Sequence, residues 1–432
     1  MESRLALSPR NRTLTLLIPW FVWGVSSLFV TYQMLLQTAP SVMIGDLQSA
    51  FSINTFGVSL LSSSFFYTYL LLQIPAGMMV DRVHPRYCLT LCLIGIAIAT
   101  TIFAYAHSLP VARASRIMQG VFSAPSVVPA LYLAAIWFPA RRFALLAGLT
   151  EMIGMMGAAL GQAALAPSVS AYGWRGTLIG CAMVGLMLAV ITFFVVREKS
   201  EDQPIAKQAA PKKGAKGNVF RDLLTVISYP QAWVNGLFSG LLFAVAAAFG
   251  SLWCIPYLMQ TYSVSLETAA NASAMCLFGV ACGAPVIGWV SDRLGLRRLP
   301  MILSTAMVLM LMLVVLYVPN INLGLMFVLL FGLGFFSSAY ALPFAVMRDI
   351  MPENVRGTAM GYTNLMCILI GAPMLQPLIG WLLDSQLSLT ANQALAYQHA
   401  LIVLPISLAV GLVLAFFVQE THCGRKEVTL SP

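Results

Sequence analysis

The stretch GMMVDRVHPR, Gly77 to Arg86, returns 211 residues later as GWVSDRLGLR, Gly288 to Arg297. Each copy ends a long apolar run with a Gly, three further residues and an Asp-Arg pair. A charged phrase used twice at such spacing points to duplication, so the reading of the chain depends on what the two copies punctuate.

They punctuate lipid-soluble chain. Of 432 residues, 59% are hydrophobic and 9% charged, where a soluble domain has about 25% charged. Apolar runs near the ~20 residues that cross a ~30 Å hydrocarbon core recur along the whole length. We read twelve helices, at 14–40, 55–79, 88–107, 110–138, 141–167, 173–196, 232–260, 268–290, 298–318, 322–349, 356–383 and 396–418. In lipid, backbone polar groups must find partners within the segment, which favours helices, and the ~10-residue alternating strands of a barrel are not seen. Arg4, Arg10 and Arg12 precede the first span as they would a signal peptide, but that span is too long for one and is expected to be retained.

Basic residues orient the spans. Arg82, Arg86, Arg141, Arg142, the 197–221 cluster, Arg293, Arg297, Arg298, Arg348 and Arg356 fall on the side shared by both tails, and only Arg175 falls in an opposite break. The positive-inside rule then places both termini in the cytoplasm. The net charge of +9 follows from this topology, and no nucleic-acid partner is expected. Eight cysteines stand without CxxC or His-rich spacing, so neither a metal nor a cofactor site is expected. With no HExxH and no phosphate-binding GxxxxGK[ST], neither an enzyme nor an ATP-driven pump is indicated.

REKSEDQPIAKQAAPKKGAKGN, from Arg197, is the longest polar stretch and reads as a flexible tether. It divides the chain into a six-helix half at 1–196, a linker at 197–229 and a six-helix half at 230–432. The NVFRDLLTVI that follows is a candidate short interfacial helix. Further repeats support the division: GVFSAPSVVP from Gly120 aligns with GFFSSAYALP from Gly334 at an offset of 214, and Pro139 to Gly148 with Pro352 to Gly361 at 213.

G-x-x-x-D-R after the second helix of each half, the central linker, and R-x-x-x-G as Arg116 to Gly120 together resemble the major facilitator superfamily over essentially the whole chain. The second loop copy keeps Gly295 and Arg297 of the family pattern but has Leu296 at a basic position, and the first has His84-Pro85 where the family has Gly-Arg. FYTYLLLQIPAGMMVDR is similar to the organic-anion and metabolite uptake branches. The resemblance implies an all-α membrane fold of two pseudo-symmetric six-helix bundles, with spans one, four, seven and ten lining a central cavity. It also implies a cytoplasmic gate: Asp81 would engage Arg141 or Arg142, with Gly77, Arg82, Gly288, Asp292 and Arg293 as the other members. Topogenic charge alone would explain the arginines but not two matched aspartates.

Two charges lie inside spans. Arg116 is about 9 Å deep from one face and Glu151 about 15 Å from the other, at 1.5 Å per residue. In a ~30 Å core their levels differ by about 6 Å, which makes them a candidate pair. A charge at such depth costs about 2.5 to 3.5 kcal/mol on insertion scales and usually faces a cavity or a proton path. The repeat counterpart of Glu151 is the neutral Asn364, so the acid belongs to one half. Glu151 is the candidate proton carrier with Arg116 beside it; a static pair bracing spans four and five is the plainer alternative.

Further cavity candidates are Gln33 and Gln37 with Tyr32 in span one, Asn235, Trp253 and Tyr257 in span seven, Tyr340 in span ten, and Asn364. Trp253 and Tyr257 also fit interface-belt aromatics. GLTEMIGMMGAALGQ, from Gly148, lacks the Gly-Pro of the family's antiporter motif, and Gly157 and Gly161 suit close helix packing instead. The expectation is a monomeric proton-coupled symporter in a bacterial inner membrane, importing a small organic anion, zwitterion or other polar metabolite without a cofactor. Na⁺ is the second candidate ion. The alternative is a proton-coupled efflux carrier for a metabolite, siderophore or drug.

Overall fold

A computed structural model describes residues 9–80, 83–197, 219–352 and 355–422. Among them the membrane-length helices are α1 (Pro9–Thr38), α2 (Thr55–Val80) and α3 (Pro85–Ala104), then α4 (Leu109–Trp137). The next helix runs from Ala140 to Val195 and breaks at Gly173, whose φ of 68° suits a residue without Cβ. The break gives α5 (140–172) and α6 (174–195). The second series is α7 (Pro230–Tyr262), α8 (Leu266–Leu294), α9 (Arg298–Tyr317), α10 (Leu323–Ile350), α11 (Arg356–Leu389) and α12 (Gln393–Phe417).

Burial shows which surfaces meet lipid. Leu71, Tyr172 and Phe194 are 75%, 79% and 64% exposed, whereas Ser26, Ser27 and Gln33 of α1 are buried in protein. This inversion of the soluble pattern is what a multi-pass membrane protein requires. The first helix starts at Pro9, earlier than the apolar run, and a short helix at Ile44–Phe51 lies between the first two spans.

Breaks in the helices repeat as the sequence does. In α4 the helix is interrupted at 124–126, and in α10 a tighter turn occupies Ser338–Ala341. Pro125 and Pro129 in the first, and Pro343 in the second, remove donors from the helical ladder. In α7, residues Val245–Trp253 form a π-helix, and a shorter one in α11 spans Ile370–Met374 around Pro373.

α1 and α3 pack on the α5–α6 pair, and α2 and α3 pack on α4; in the second series α7 packs on α11 and α12, α9 on α10 and α12, and α8 on α10. The two sets meet where α2 lies on α11 and where α8 lies on the long helix containing α5. Small residues permit the closest crossings. A Cβ on Gly120 would strike the carbonyl of Phe65 in α2, and one on its repeat mate Gly334 would strike the carbonyl of Cys276 in α8. Gly157 and Gly161 likewise face the backbone of Thr31 and Leu35 in α1. Gly334→Val is therefore expected to destabilise by about 3 kcal/mol or more, read as loss of the monodisperse peak in size-exclusion chromatography. A well-folded variant would mean that α8 and α10 can separate without cost.

The linker stretch 198–218 lies outside the described residues. After it, Val219–Ile227 is helical, as expected, but Val226 is fully buried, packed with Leu223 and Ile227 against Met347, Met351 and Val355 at the ends of α10 and α11.

Candidate functional site

Between the two sets of helices lies a cavity of about 640 Å³, within the range of small-molecule sites. Its polar lining is Gln37 from α1, Tyr69 from α2, Glu151 from α5, Tyr340 and Arg348 from α10, and Asn364 and Cys367 from α11. Phe66, Met34, Met155, Phe243, Phe344, Met360 and Ile368 make up much of the remainder. Arg348, near the end of α10, belongs to the lining, as do Ala147 near the start of α5 and Met360 near the start of α11, so the cavity opens toward the arginine-rich side.

Glu151 projects from α5 into this space and lies close enough to Tyr340 and Cys367, on the opposite set of helices, to interact with them electrostatically. Its carboxylate takes part in neither of the ion pairs found among the described residues, Asp292 with Arg297 and Asp349 with Arg348.

Arg116 is not brought to Glu151. It is 1% exposed and donates from Nη1 to the Leu36 carbonyl at 3.1 Å and to Gln119 Oε1 at 2.8 Å, and from Nη2 to the Ser62 carbonyl at 3.4 Å. The Phe65 ring lies 5.2 Å from its guanidinium carbon, and Gln119 passes the network to Thr100 at 2.9 Å. Depth along the helix placed the two charges at similar levels, but Arg116 faces α1 and α2. The part of α4 that faces the cavity is Ala124, Val127 and Val128, at and beyond the break.

Other candidates separate in the same way. Gln37, Tyr340 and Asn364 line the cavity. Gln33 is fully buried with neither amide atom hydrogen-bonded. Tyr32 donates its hydroxyl to the Cys181 carbonyl of α6 at 2.9 Å, and Asn235 donates to the Gln231 carbonyl one turn earlier at 2.8 Å. Trp253 and Tyr257 are 0% and 1% exposed, which excludes a place in the interface belt. Trp253 donates to the Gln376 carbonyl at 3.2 Å, and Tyr257 to the Val315 carbonyl of α9 at 2.7 Å.

At the end of the cavity away from the arginines, a set of contacts absent from the sequence reading closes the space. Gln162 of α5 donates Nε2 to the Gly250 carbonyl at 2.8 Å and to Ser41 Oγ at 3.1 Å. Gln376 of α11 donates Nε2 to the Ala247 carbonyl at 2.6 Å, and its Oε1 accepts from Ser63 of α2 at 3.5 Å. Both glutamines therefore grip carbonyls of the α7 π-helix, an element frequent at functional sites. The two stand 214 residues apart, the offset of the Gly120 and Gly334 segments, and that numerical match was the signal available to find them. Asp384 of α11 completes the closure by accepting from Thr55 N at 3.0 Å and Phe56 N at 2.8 Å at the start of α2, an anion on a helix N-terminus. Asp384→Asn is expected to cost about 1 kcal/mol and lower the melting temperature; an unchanged value would remove this contact from the closure.

On the arginine-rich side, Asp81 and Arg82 lie outside the described residues, and Gly77 and Arg141 have no described side-chain environment. Arg142 is exposed. In the second copy Asp292 pairs with Arg297 at 2.7 Å, Arg293 lies over the Trp289 ring, and Gly288 has open space around it. That copy closes on its own loop. The Glu420 carboxylate caps the start of α9, accepting from Arg297 N and Arg298 N at 2.8 Å each, and also from Thr421 N and His422 N. Partial burial pushes its pKa up, but these four donors outweigh burial and hold it below the usual carboxylate value. A depressed value means the cap is complete above about pH 4.3 and is lost as pH falls through the depressed pKa. The melting-temperature gap between wild type and Glu420→Ala should thus be constant above that pH and close below it; a gap independent of pH would deny the cap.

Comparison with known proteins agrees with this architecture. The sequence model of the Major Facilitator Superfamily matches residues 22–371 and 237–428. The membrane sensor protein UhpC of Escherichia coli (strain K12) is 23% identical over 285 residues, 63% of this chain and 64% of that protein. The probable L-galactonate transporter of the same strain is 25% identical over 243 residues, 55% and 53%. The chain thus spans between half and two thirds of the length of these relatives. The D-galactonate transporter of Escherichia coli O6:H1 is 24% identical over 358 residues, 75% of this chain and 80% of that protein. In fold, a bacterial homologue of the human lysosomal transporter Spinster, in an inward-facing and unoccupied conformation, superposes with a TM-score of 0.77 at 18% identity over 93% of this chain and 97% of that one.

Proposed function

The chain belongs to the Major Facilitator Superfamily, a family of membrane carriers rather than enzymes, and on that footing we propose that it is a secondary active transporter for a small anionic or polar metabolite, driven by protons. The observation that carries the proposal is Glu151, a carboxylate on the wall of the cavity between the two sets of helices. Relatives whose printed names specify galactonate, galactarate or glucarate, and sulfoacetate transport supply the anionic class.

An anion and an ionised Glu151 cannot share this space cheaply. At 5 Å and an effective dielectric constant of 20 their repulsion is about 3 kcal/mol, more than a hundredfold in affinity. Binding therefore draws a proton onto Glu151, and the loaded carrier moves substrate and proton together. Arg116 takes the role of a brace that holds α1, α2 and α4 at one spacing.

The halves 1–196 and 230–432, joined by the linker at 197–229, would rock about the cavity. With both termini in the cytoplasm of a bacterial inner membrane, the open end faces the cytoplasm, the glutamine contacts form the outer gate, and a proton gradient directed inward gives import. H⁺ is the coupling ion of this reading and the monomer its working unit. Ligand affinity should fall by up to tenfold per pH unit once Glu151 ionises. Calorimetric titration across pH tests this; pH-independent affinity would contradict proton-linked binding. Because a membrane sensor is among the relatives, exchange of labelled for unlabelled substrate in proteoliposomes decides between carrier and sensor.

A further inference from the structure

We infer that the carried solute is a monocarboxylate with an apolar body, aromatic or branched aliphatic, and not a polyhydroxylated acid of the kind named for several relatives. The inference rests on the carrier reading above and narrows its substrate class.

The cavity has few groups that could hydrogen-bond a solute, and they are set apart along its axis. Glu151, Tyr340 and Asn364 share the wall with Gln37, while Arg348 stands near the open end. Tyr340 and Arg348 are eight residues apart on α10, about 12 Å along a helix. Between and around them the walls are Phe66, Met155, Phe243, Phe344, Met360 and Ile368.

The aromatic part of this wall comes from both sets of helices. Phe66 of α2 belongs to one buried cluster with Phe65 and Tyr69, against which Phe243 of α7 and Ile368 of α11 pack. Phe243 also lies 4.7 Å from the Tyr340 ring. A planar or branched apolar body filling this space would be sandwiched between the two halves, with contact on each.

One small head group can engage several of the polar groups present; Gln37, Tyr69 and Cys367 are the others on the wall. A carboxylate can accept from protonated Glu151, the Tyr340 hydroxyl and the Asn364 amide, while Arg348, 57% exposed and paired with Asp349 at 3.3 Å, offers its remaining N–H donors to the anion at the mouth. A sugar acid carries a hydroxyl on nearly every carbon, and most of these would face Phe, Met or Ile without a partner. An amine would satisfy ionised Glu151 but would give the N–H donors of Arg348 nothing to bind.

Full-length protein in detergent at pH 6 is titrated with 3-phenylpropionate, 4-methylvalerate, D-galactonate, D-glucarate and phenethylamine, by thermal stabilisation and equilibrium dialysis. The two apolar monocarboxylates are expected to bind about tenfold or more tightly than either sugar acid. Met360→Gln and Phe344→Asn should each shrink that preference by about tenfold. Tighter binding of a sugar acid, binding of the amine alone, or stabilisation by none of the five overturns the inference. No gradient is imposed, so the ranking is read whether or not Glu151 carries protons; failure of the proton reading would appear as pH-independent affinity with the ranking intact.

Discussion

Glu151→Gln is expected to abolish accumulation driven by a pH gradient while leaving exchange of labelled for unlabelled substrate near the wild-type rate. The amide has the shape of the protonated acid and carries no charge, so an anion can still enter the cavity that Glu151 lines. What it cannot do is release a proton. For a carrier moving one proton with one monoanion, each unit of pH gradient supports up to tenfold accumulation, and the variant should equilibrate at a ratio of about one. Proteoliposomes with an imposed gradient, assayed in both modes, read the two quantities on the same preparation. Loss of both accumulation and exchange would point to a structural role for Glu151, and gradient-driven accumulation by the variant would remove it from the proton path.

Replacing the paired glutamines by leucine is expected to open the far end of the cavity. Gln162 and Gln376 each place a buried amide on a carbonyl of the α7 π-helix, at 2.8 Å and 2.6 Å. A buried carbonyl left without its donor costs about 1 to 3 kcal/mol, a cost relieved when the end opens to water. Gly250 keeps a second side-chain donor in Ser273 at 2.9 Å, whereas among the described residues Gln376 is the side-chain donor found for Ala247 and Ser63 also loses its partner, so Gln376→Leu should have the larger effect. Gln376→Leu should raise the population open at that end by about tenfold, and Gln162→Leu by less. Ser59→Cys provides the probe, since Ser59 is buried beside Gly380 where α2 meets α11. Its alkylation by a membrane-impermeant maleimide should accelerate by about tenfold in the Gln376→Leu variant and by less in the Gln162→Leu variant. Unchanged rates in folded variants would mean that the glutamines pack α7 without gating.

The parts of this architecture legible in the sequence were those governed by one-dimensional quantities. Hydrophobic length locates the helices because lipid thickness sets it, and the offset between repeats locates the matching breaks in α4 and α10. Glu151 stood out because a carboxylate inside a span is costly, and the structure places it, with Gln37, Tyr340 and Asn364, on the cavity wall. Rotation about the helix axis was not legible. Arg116 lies within α4 but points at carbonyls of α1 and α2, and the break at 124–126 separates its face of α4 from the one lining the cavity. The outer contacts were hidden for a different reason. Gln162 and Gln376 are neutral amides, inexpensive enough in a helix to attract no notice, and their acceptors are backbone oxygens of a π-helix that contains no proline. Arg348 looked like topogenic charge because its position at a helix end satisfies the charge rule whether or not it also faces the cavity mouth.

The most direct test is proton uptake on ligand binding. With the best ligand of the stabilisation panel added to purified protein in weakly buffered detergent near pH 7, a pH-indicating dye should report up to one proton taken up per ligand bound. Glu151→Gln should bind the same ligand and take up none. Binding without proton uptake by the wild-type protein, or equal uptake by the variant, would contradict a carrier coupled through Glu151.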